Sequence, residues 1–290
     1  MFTYDRMVAR FKVGCLLLVL LWSLWSCTWL MRQSICPRLE SPPPQLTVTT
    51  EKHLLPPPSD DPAVMAAALF SFIELPQYWC RRLTMFGGQT FSEDTAGSID
   101  GNKFICLDEP PALPCLVYSF GSRDEWSFER DVKRQLGCEV HTFDPSLSDS
   151  RTPKETHGAV FHSIGLGGST RVNARGWKLA TLRDLRAQLG HLTSLIAYLK
   201  VDIEGGEWEW LETEAEELQD VLQIGMEVHL PMPMTPIVLK RVYGVFRRLQ
   251  KAGFRTVFSE VNRVWGRNLK VDGMEGNVGR YYEIVWVRVT

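Results

Sequence analysis

Seven short apolar runs dominate the C-terminal part of the chain, and stretches with helical periodicity separate most of them. In order they are CLVYSFG (115–121), EVHTFDPS (139–146), AVFHSIGLGG (159–168), LIAYLKVDIEGG (195–206), LQIGMEVHL (222–230), FRTVFSEV (254–261) and YYEIVWVRV (281–289). Runs that are apolar throughout, rather than at alternate positions, suit strands buried on both faces. Such strands lie parallel and need crossover helices. EWSFERDVKRQLGC, TLRDLRAQLGH, GEWEWLETEAEELQ and residues 237–252 supply the helices. Their predicted buried positions are Trp126, Val132 and Leu136; Leu182, Leu185 and Leu189; Trp208, Leu211, Ala215 and Leu218; and Val238, Val242, Val245 and Leu249. No helix separates the last two runs, so they form an antiparallel hairpin. The expected fold is α/β: a mostly parallel seven-stranded sheet, helices on both faces and a C-terminal antiparallel hairpin.

The N-terminus has a different character. Val13 to Met31 carries no charge and is rich in Leu and Trp, a length that matches the ~20 residues needed to span a bilayer. Arg6, Arg10 and Lys12 precede it, which by the positive-inside rule keeps the start of the chain cytosolic. Two triple-proline runs follow, and proline-rich chain favours extended geometry without a hydrogen-bond ladder. The expected organisation is a cytosolic 1–12, a signal anchor at 13–31, a proline-rich stem at 32–62, a helical extension and connector at 63–114, and an α/β domain at 115–290. In the extension, residues 63–75 read as a helix, and 78–88 continue it or follow it to a Gly-Gly stop. This is the layout of a single-pass type II membrane protein with a lumenal domain in the Golgi or endoplasmic reticulum. The alternative is a cleaved signal peptide and secretion.

Cys36, Cys80, Cys106, Cys115 and Cys138 lie beyond the apolar span, where an oxidising lumen permits disulfides, while their spacing does not fit a zinc ribbon. The 32 basic and 34 acidic residues leave a net charge of -2, so no nucleic-acid partner is expected.

In an open α/β sheet ligands bind beyond the carboxyl ends of the strands. Those ends offer Ser119, Phe120 and Gly121; Asp144, Pro145 and Ser146; Ser163, Ile164 and Gly165; Lys200 to Glu204; and Glu227 and His229. Asp144 after the second strand suits the two hydroxyls of a ribose, or caps the turn before Pro145. Gly121 lets backbone approach a cofactor. One such glycine, without a fuller glycine-rich loop, favours S-adenosyl-L-methionine over a dinucleotide. Asp202 and Glu204 reach the same edge. Glu207, Glu209 and Glu212 read as helix-start and surface charge. Glu227 beside His229 provides a general base for a hydroxyl substrate, or His229 bonds locally. With Asp202 the pair also makes a weaker candidate for a hard divalent cation, so no metal is assigned. Asn262, Arg263, Trp265 and Arg267 belong to the last hairpin's loop, near that edge or simply solvated.

CLVYSFGSRDEWSFE, GCEVHTFDPS, SIGLGG and YLKVDIEGGEWEWL, in this order, resemble the methyltransferase-like protein 24 family. More distantly they resemble FkbM-type O-methyltransferases, and the order of elements is similar to that of class I methyltransferases. The resemblance covers roughly Trp79 to the C-terminus, including FGG and DGNKFICLD before the first strand. It implies S-adenosyl-L-methionine binding, with Gly121 and its neighbours near the methionine moiety, Asp144 on the ribose, Ile164 and Gly165 near the adenine, and Asp202 at the transfer centre. It departs from typical methyltransferases in the glycine-poor first loop, SFGSRDEW. The expected function is O-methyl transfer to an acceptor in the secretory pathway (a small molecule, glycan or protein). Two other functions compete: a Golgi-type glycosyltransferase using Asp202 to Glu204 as its acidic triplet, and a catalytically inactive binding domain on the same fold.

Overall fold

The computed structural model describes residues 53–90, 99–147, 156–262, 269–272 and 274–289. The proposed anchor, most of the stem, Cys15, Cys27, Cys36, Arg263, Trp265 and Arg267 lie outside them. Among the described residues no helix is long and apolar enough to cross a membrane.

Helix α1 (Pro62–Glu74) starts where Asp61 accepts a hydrogen bond from the Ala63 N–H and proline occupies the first helical position. The domain then runs β1 (Leu116–Phe120), α2 (Ser127–Leu136), β2 (Glu139–Phe143), β3 (Val160–His162), α3 (Leu182–Leu189), β4 (Ile196–Val201), α4 (Glu207–Thr213), β5 (Gln223–His229), α5 (Pro236–Lys251), β6 (Phe254–Val261) and β7 (Tyr281–Arg288). The seven strands form one sheet in the spatial order β3-β2-β1-β4-β5-β7-β6. Strands β1 to β5 run parallel to one another, and β7 pairs antiparallel with both β5 and β6. This is the strand order of class I methyltransferases, and the strand order reverses between β1 and β4.

The two faces are covered unequally. Helices α1, α3, α4 and α5 bury their apolar stripes on one face with Tyr118, Phe120, Phe143, Leu199, Val201 and Met226. On the other, α2 packs Phe128 and Val132 against Val117, Val140 and Tyr198. There it is joined by an antiparallel strand pair, Leu83–Phe86 with Lys103–Cys106. The helix therefore stops at Glu74 and Leu83–Phe86 is a strand, where 78–88 was expected to continue the helix or follow it to a Gly-Gly stop. The Cys80–Cys106 disulfide fixes one end of the ribbon, and Gln223 on β5 bonds both the N–H (3.0 Å) and the carbonyl (2.7 Å) of Cys106. A second disulfide, Cys115–Cys138, ties together the residues that precede β1 and β2.

Two further boundaries differ from expectation. The expected third strand stops at His162. Gly165–Leu166 instead pairs with Lys178–Ala180, and a side chain at 165 would collide with Pro145 at 2.8 Å and with Leu179 at 2.9 Å, so glycine is required there. The helix expected over 206–219 stops at Thr213 and resumes as a 3-10 turn over Ala215–Asp220. Glu214, at the break, accepts hydrogen bonds from the Leu182 and Arg183 N–H groups at the start of α3. A helix terminus needs those acceptors, and meeting the need breaks a neighbouring helix.

Candidate functional site

The edge where β1, β2, β4 and β5 end divides into two parts. In the first, backbone bonds tie the loops to the strands beside them: Gly121 N–H donates to the Phe143 carbonyl (2.9 Å) and Asp202 N–H to the Phe120 carbonyl (3.0 Å). Gly121 has φ +83°, and a Cβ there would lie 1.7 Å from the Asp202 carbonyl oxygen. No other residue fits. The buried Lys200 reaches the Gly121 carbonyl at 3.4 Å.

Asp144 is buried among local donors. Its Oδ2 accepts from the Arg123 N–H (2.8 Å), and its Oδ1 accepts from the Ser146 N–H (2.8 Å) and hydroxyl (2.6 Å). Asp144 and Asp202 thus flank Gly121, separated by β1 rather than adjacent. Ser119 is buried, its hydroxyl donated to Glu129 of α2. Phe120 lies in the core, stacked on Phe143 with centroids 4.6 Å apart. Pro145 packs against Gly165, and Ile164 rests against the core. Ser122 Oγ, also buried, has no hydrogen-bond partner among the described residues.

The second part, after β4 and β5, is crowded with charge. One ligand atom each from Asp202, Glu227 and His229 lies within 4.8 Å of the other two, so the three form a potential cation-binding set. Their neighbourhood already holds a cation: Lys103, fully inside the protein, meets Glu283 at 2.9 Å and Asp202 at 3.9 Å. Burial works against the Lys103 ammonium, but the charges of Glu283, Asp202 and Glu227 outweigh it and raise its pKa. Burial raises the Glu283 carboxyl. Burial, reinforced by Asp202 and Glu283, pushes Glu227 up to about 8. Asn262 Nδ2 donates to Glu227 Oε1 at 2.9 Å, so the one described member of the hairpin-loop group does reach this edge.

His229 is anchored from below. Its Nδ1 lies 3.0 Å from Glu207 Oε1, which also accepts from the Ile203 and Gly205 N–H groups, both at 3.3 Å. Glu207 is completely buried, and its Oε2 has no partner among the described residues. The expectation that Glu207 is surface charge is therefore wrong; Glu209 and Glu212 do pair at the surface, with Arg171 and Arg241. His229 Nε2 faces Glu204 Oε2 at 3.6 Å and Glu227 Oε1 at 3.9 Å. Burial would lower this imidazole, but the Glu207 hydrogen bond and the charges of Glu207, Glu227 and Asp202 push it up to about 9. Glu204, with its side chain exposed, sits at φ +55°, and Arg123 after β1 at φ +46°. Non-glycine residues held in the left-handed region cost on the order of 1–3 kcal/mol and cluster at functional loops.

Sequence reasoning missed Ser122, Lys103, Glu207 and Glu283. Two of them carried a signal: Lys103 in KFIC and Glu283 in YYEIVW are opposite charges set against apolar strand residues. Buried charges need partners, so each pointed to the other.

Residues 67–272 match the family described as "Methyltransferase domain", Methyltransf_22. Among curated proteins, the human "Probable methyltransferase-like protein 24" is 29% identical over 181 residues, 53% of this chain and 47% of that protein. The rat protein of the same name is 26% identical over 216 residues, 66% of this chain and 56% of that one. The chain thus spans about half the length of the curated relatives it matches. Two solved structures overlap weakly. TnmH has 12% identity and a TM-score of 0.31, covering 61% of this chain and 51% of its own. CalO1, a methyltransferase in calicheamicin biosynthesis in an SAH-bound form, has 11% identity and a TM-score of 0.25, covering 63% and 51%. At such scores the likeness adds nothing to the strand order. The family match spans most of the sheet and both parts of the carboxyl edge, and this chain belongs to the Methyltransf_22 family of methyltransferase domains.

Proposed function

We propose that the chain transfers a methyl group from S-adenosylmethionine to a hydroxyl acceptor, with His229 as general base. The observation that carries this reading is the orientation of His229: Nδ1 fixed by a buried carboxylate, Nε2 turned to the carboxyl edge. Such a dyad positions one nitrogen to take a proton.

The residues present fit the cofactor. Ser122 Oγ, buried and unpartnered in the loop after β1, is the kind of orphan a bound ligand satisfies. Asp144 receives three donors on a carboxylate that has about four acceptor sites, which leaves room for a ribose hydroxyl. The acids of the second part suit a sulfonium cation. Gly121, Ser122, Asp144, Pro145, Ser146, Ile164, Gly165 and Asp202 would hold the group, with backbone rather than side-chain contact at Gly121. When bound, it supplies an electrophilic methyl group. The chain's own task is to orient the acceptor and remove its proton. A hydroxyl placed against Nε2 gives its proton to His229, and Glu207 stabilises the resulting imidazolium. Lys103 limits the repulsion among Asp202, Glu227 and Glu283.

The proposed setting is lumenal, with the N-terminal segment as membrane anchor. Its support is the apolar sequence of 13–31 and the two disulfides, which persist in oxidising compartments. Calorimetry of the purified full chain with S-adenosylhomocysteine and with UDP-sugars tests the cofactor, and a labelled-methyl assay on secretory-pathway extracts tests the transfer. Binding of S-adenosylhomocysteine with methyl incorporation that His229→Gln removes is expected. Binding of only a UDP-sugar overturns the proposal, and cofactor binding without turnover reduces it to a binding domain.

A further inference from the structure

At the opposite end of β2 a second polar cluster lies outside the methyl-transfer edge. Glu139 and His141 are two apart on β2 and so project from the same face of the strand. His191 follows the end of α3 and meets them there. One ligand atom from each of the three lies within 4.8 Å of the other two.

The rings are oriented by other elements. His141 Nε2 faces Glu139 Oε1 at 2.8 Å, while its Nδ1 is held 2.8 Å from His162 Nε2 on β3. Tyr118 of β1 places its hydroxyl 2.8 Å from His191 Nδ1. The His141 and His191 rings stand edge to face, 5.0 Å apart at 78°. Imidazoles that bind metals are typically fixed in this way, by donating their other ring N–H to a surrounding acceptor. The nearby Arg186 guanidinium, which donates to the His191 carbonyl at 3.3 Å, is paired with Glu217 (3.3 Å) and Asp220 (2.8 Å), so its charge is compensated.

We propose that Glu139, His141 and His191 bind a divalent cation of zinc's class, tying β2 to the turn after α3 and leaving one coordination position for water. Two imidazoles and a carboxylate are a zinc-type donor set, and three protein ligands plus water complete a tetrahedron. Bonds of about 2.0–2.2 Å require ligand atoms about 3.3 Å apart. The mostly exposed Glu139 side chain and the half-exposed His191 reach that by rotation, while the buried His141 stays fixed. The rival account is a plain Glu139–His141 ion pair that binds nothing.

The test uses the full chain, purified without chelator or polyhistidine tag. Zinc content is measured by plasma mass spectrometry, and Co2+ is titrated while visible absorption is recorded. One equivalent of Zn2+ and a tetrahedral Co2+ spectrum are expected. Glu139→Gln and His191→Gln should each weaken Zn2+ at least ~100-fold, and His162→Gln ~10–100-fold. Both ligand positions are accessible to solvent, and thermal melts confirm that these variants fold. Asp202→Asn and His229→Gln, at the other candidate set, should leave Zn2+ content unchanged. The absence of retained Zn2+ and of a Co2+ spectrum overturns the proposal. So does metal that persists in the Glu139→Gln and His191→Gln variants, or that leaves only with Asp202→Asn or His229→Gln.

Discussion

The two parts of the carboxyl edge solve the problem of burying charge in opposite ways. After β1 and β2, Asp144 is surrounded by donors from its own and the adjoining loop. After β4 and β5, Asp202, Glu227, Glu283, Lys103 and His229 share a few ångströms, and burial of the two glutamates and carboxylates beside Lys103 and His229 raise the pKa of four of the five. The first arrangement suits holding a ligand. The second suits moving a proton, and the proposed catalysis is placed there on the orientation of His229.

The sharpest way to break that division is His229→Gln. It should lower methyl transfer ~10²–10⁴-fold while S-adenosylhomocysteine affinity in calorimetry stays the same. Loss of cofactor binding instead would merge the two parts. Next is Lys103→Met, which leaves buried carboxylates without their cation and should cost roughly 3–5 kcal/mol in denaturant unfolding. Adding Glu283→Gln should restore part of the loss, because the two residues are directly coupled.

The pH dependence follows from the same groups. Glu227 and His229 both have folded pKa values above their unfolded ones, about 8 against 4.5 and about 9 against 6.5. Each therefore stabilises the fold fully below its unfolded value, and the contribution is lost as pH rises through the folded value. Thermal melts should fall progressively from about pH 4.5 to 9, and Glu227→Gln should flatten the earlier part. As a base His229 acts only when neutral, so the rate should climb towards pH 9. Glu207→Gln should move that limb down, towards 6.5. An unmoved limb would separate His229 from the chemistry. In the first part, Asp144→Ala should cost about 1.5–3 kcal/mol and weaken cofactor binding, without moving the pH limb. Smallest of all, Glu204→Gly relieves a left-handed backbone and should change stability by no more than about 1 kcal/mol.

Much of this was legible from residues alone because strand ends are local facts. An apolar run closing on Asp202, or on Glu227 and His229, announces both the strand and the edge it reaches. The rest required tertiary distance. Lys103 and Glu283 are 180 residues apart in the chain and pair only because the Leu83–Cys106 ribbon crosses the sheet beneath β7. Glu207 was misread because a carboxylate in the first turn of a helix satisfies the same sequence pattern whether it faces solvent or an imidazole. Glu139 and His141 share β2, but His162 ends β3 and His191 follows α3, and no sequence spacing links those three places.

The contact between Gly121 and the Asp202 carbonyl has a mechanical consequence. With less than a methyl group's clearance between them, the turns that leave β1 and β4 have no slack and must shift together. Any side chain at position 121 would force those turns apart, so the spacing of this edge rests on a single missing carbon atom.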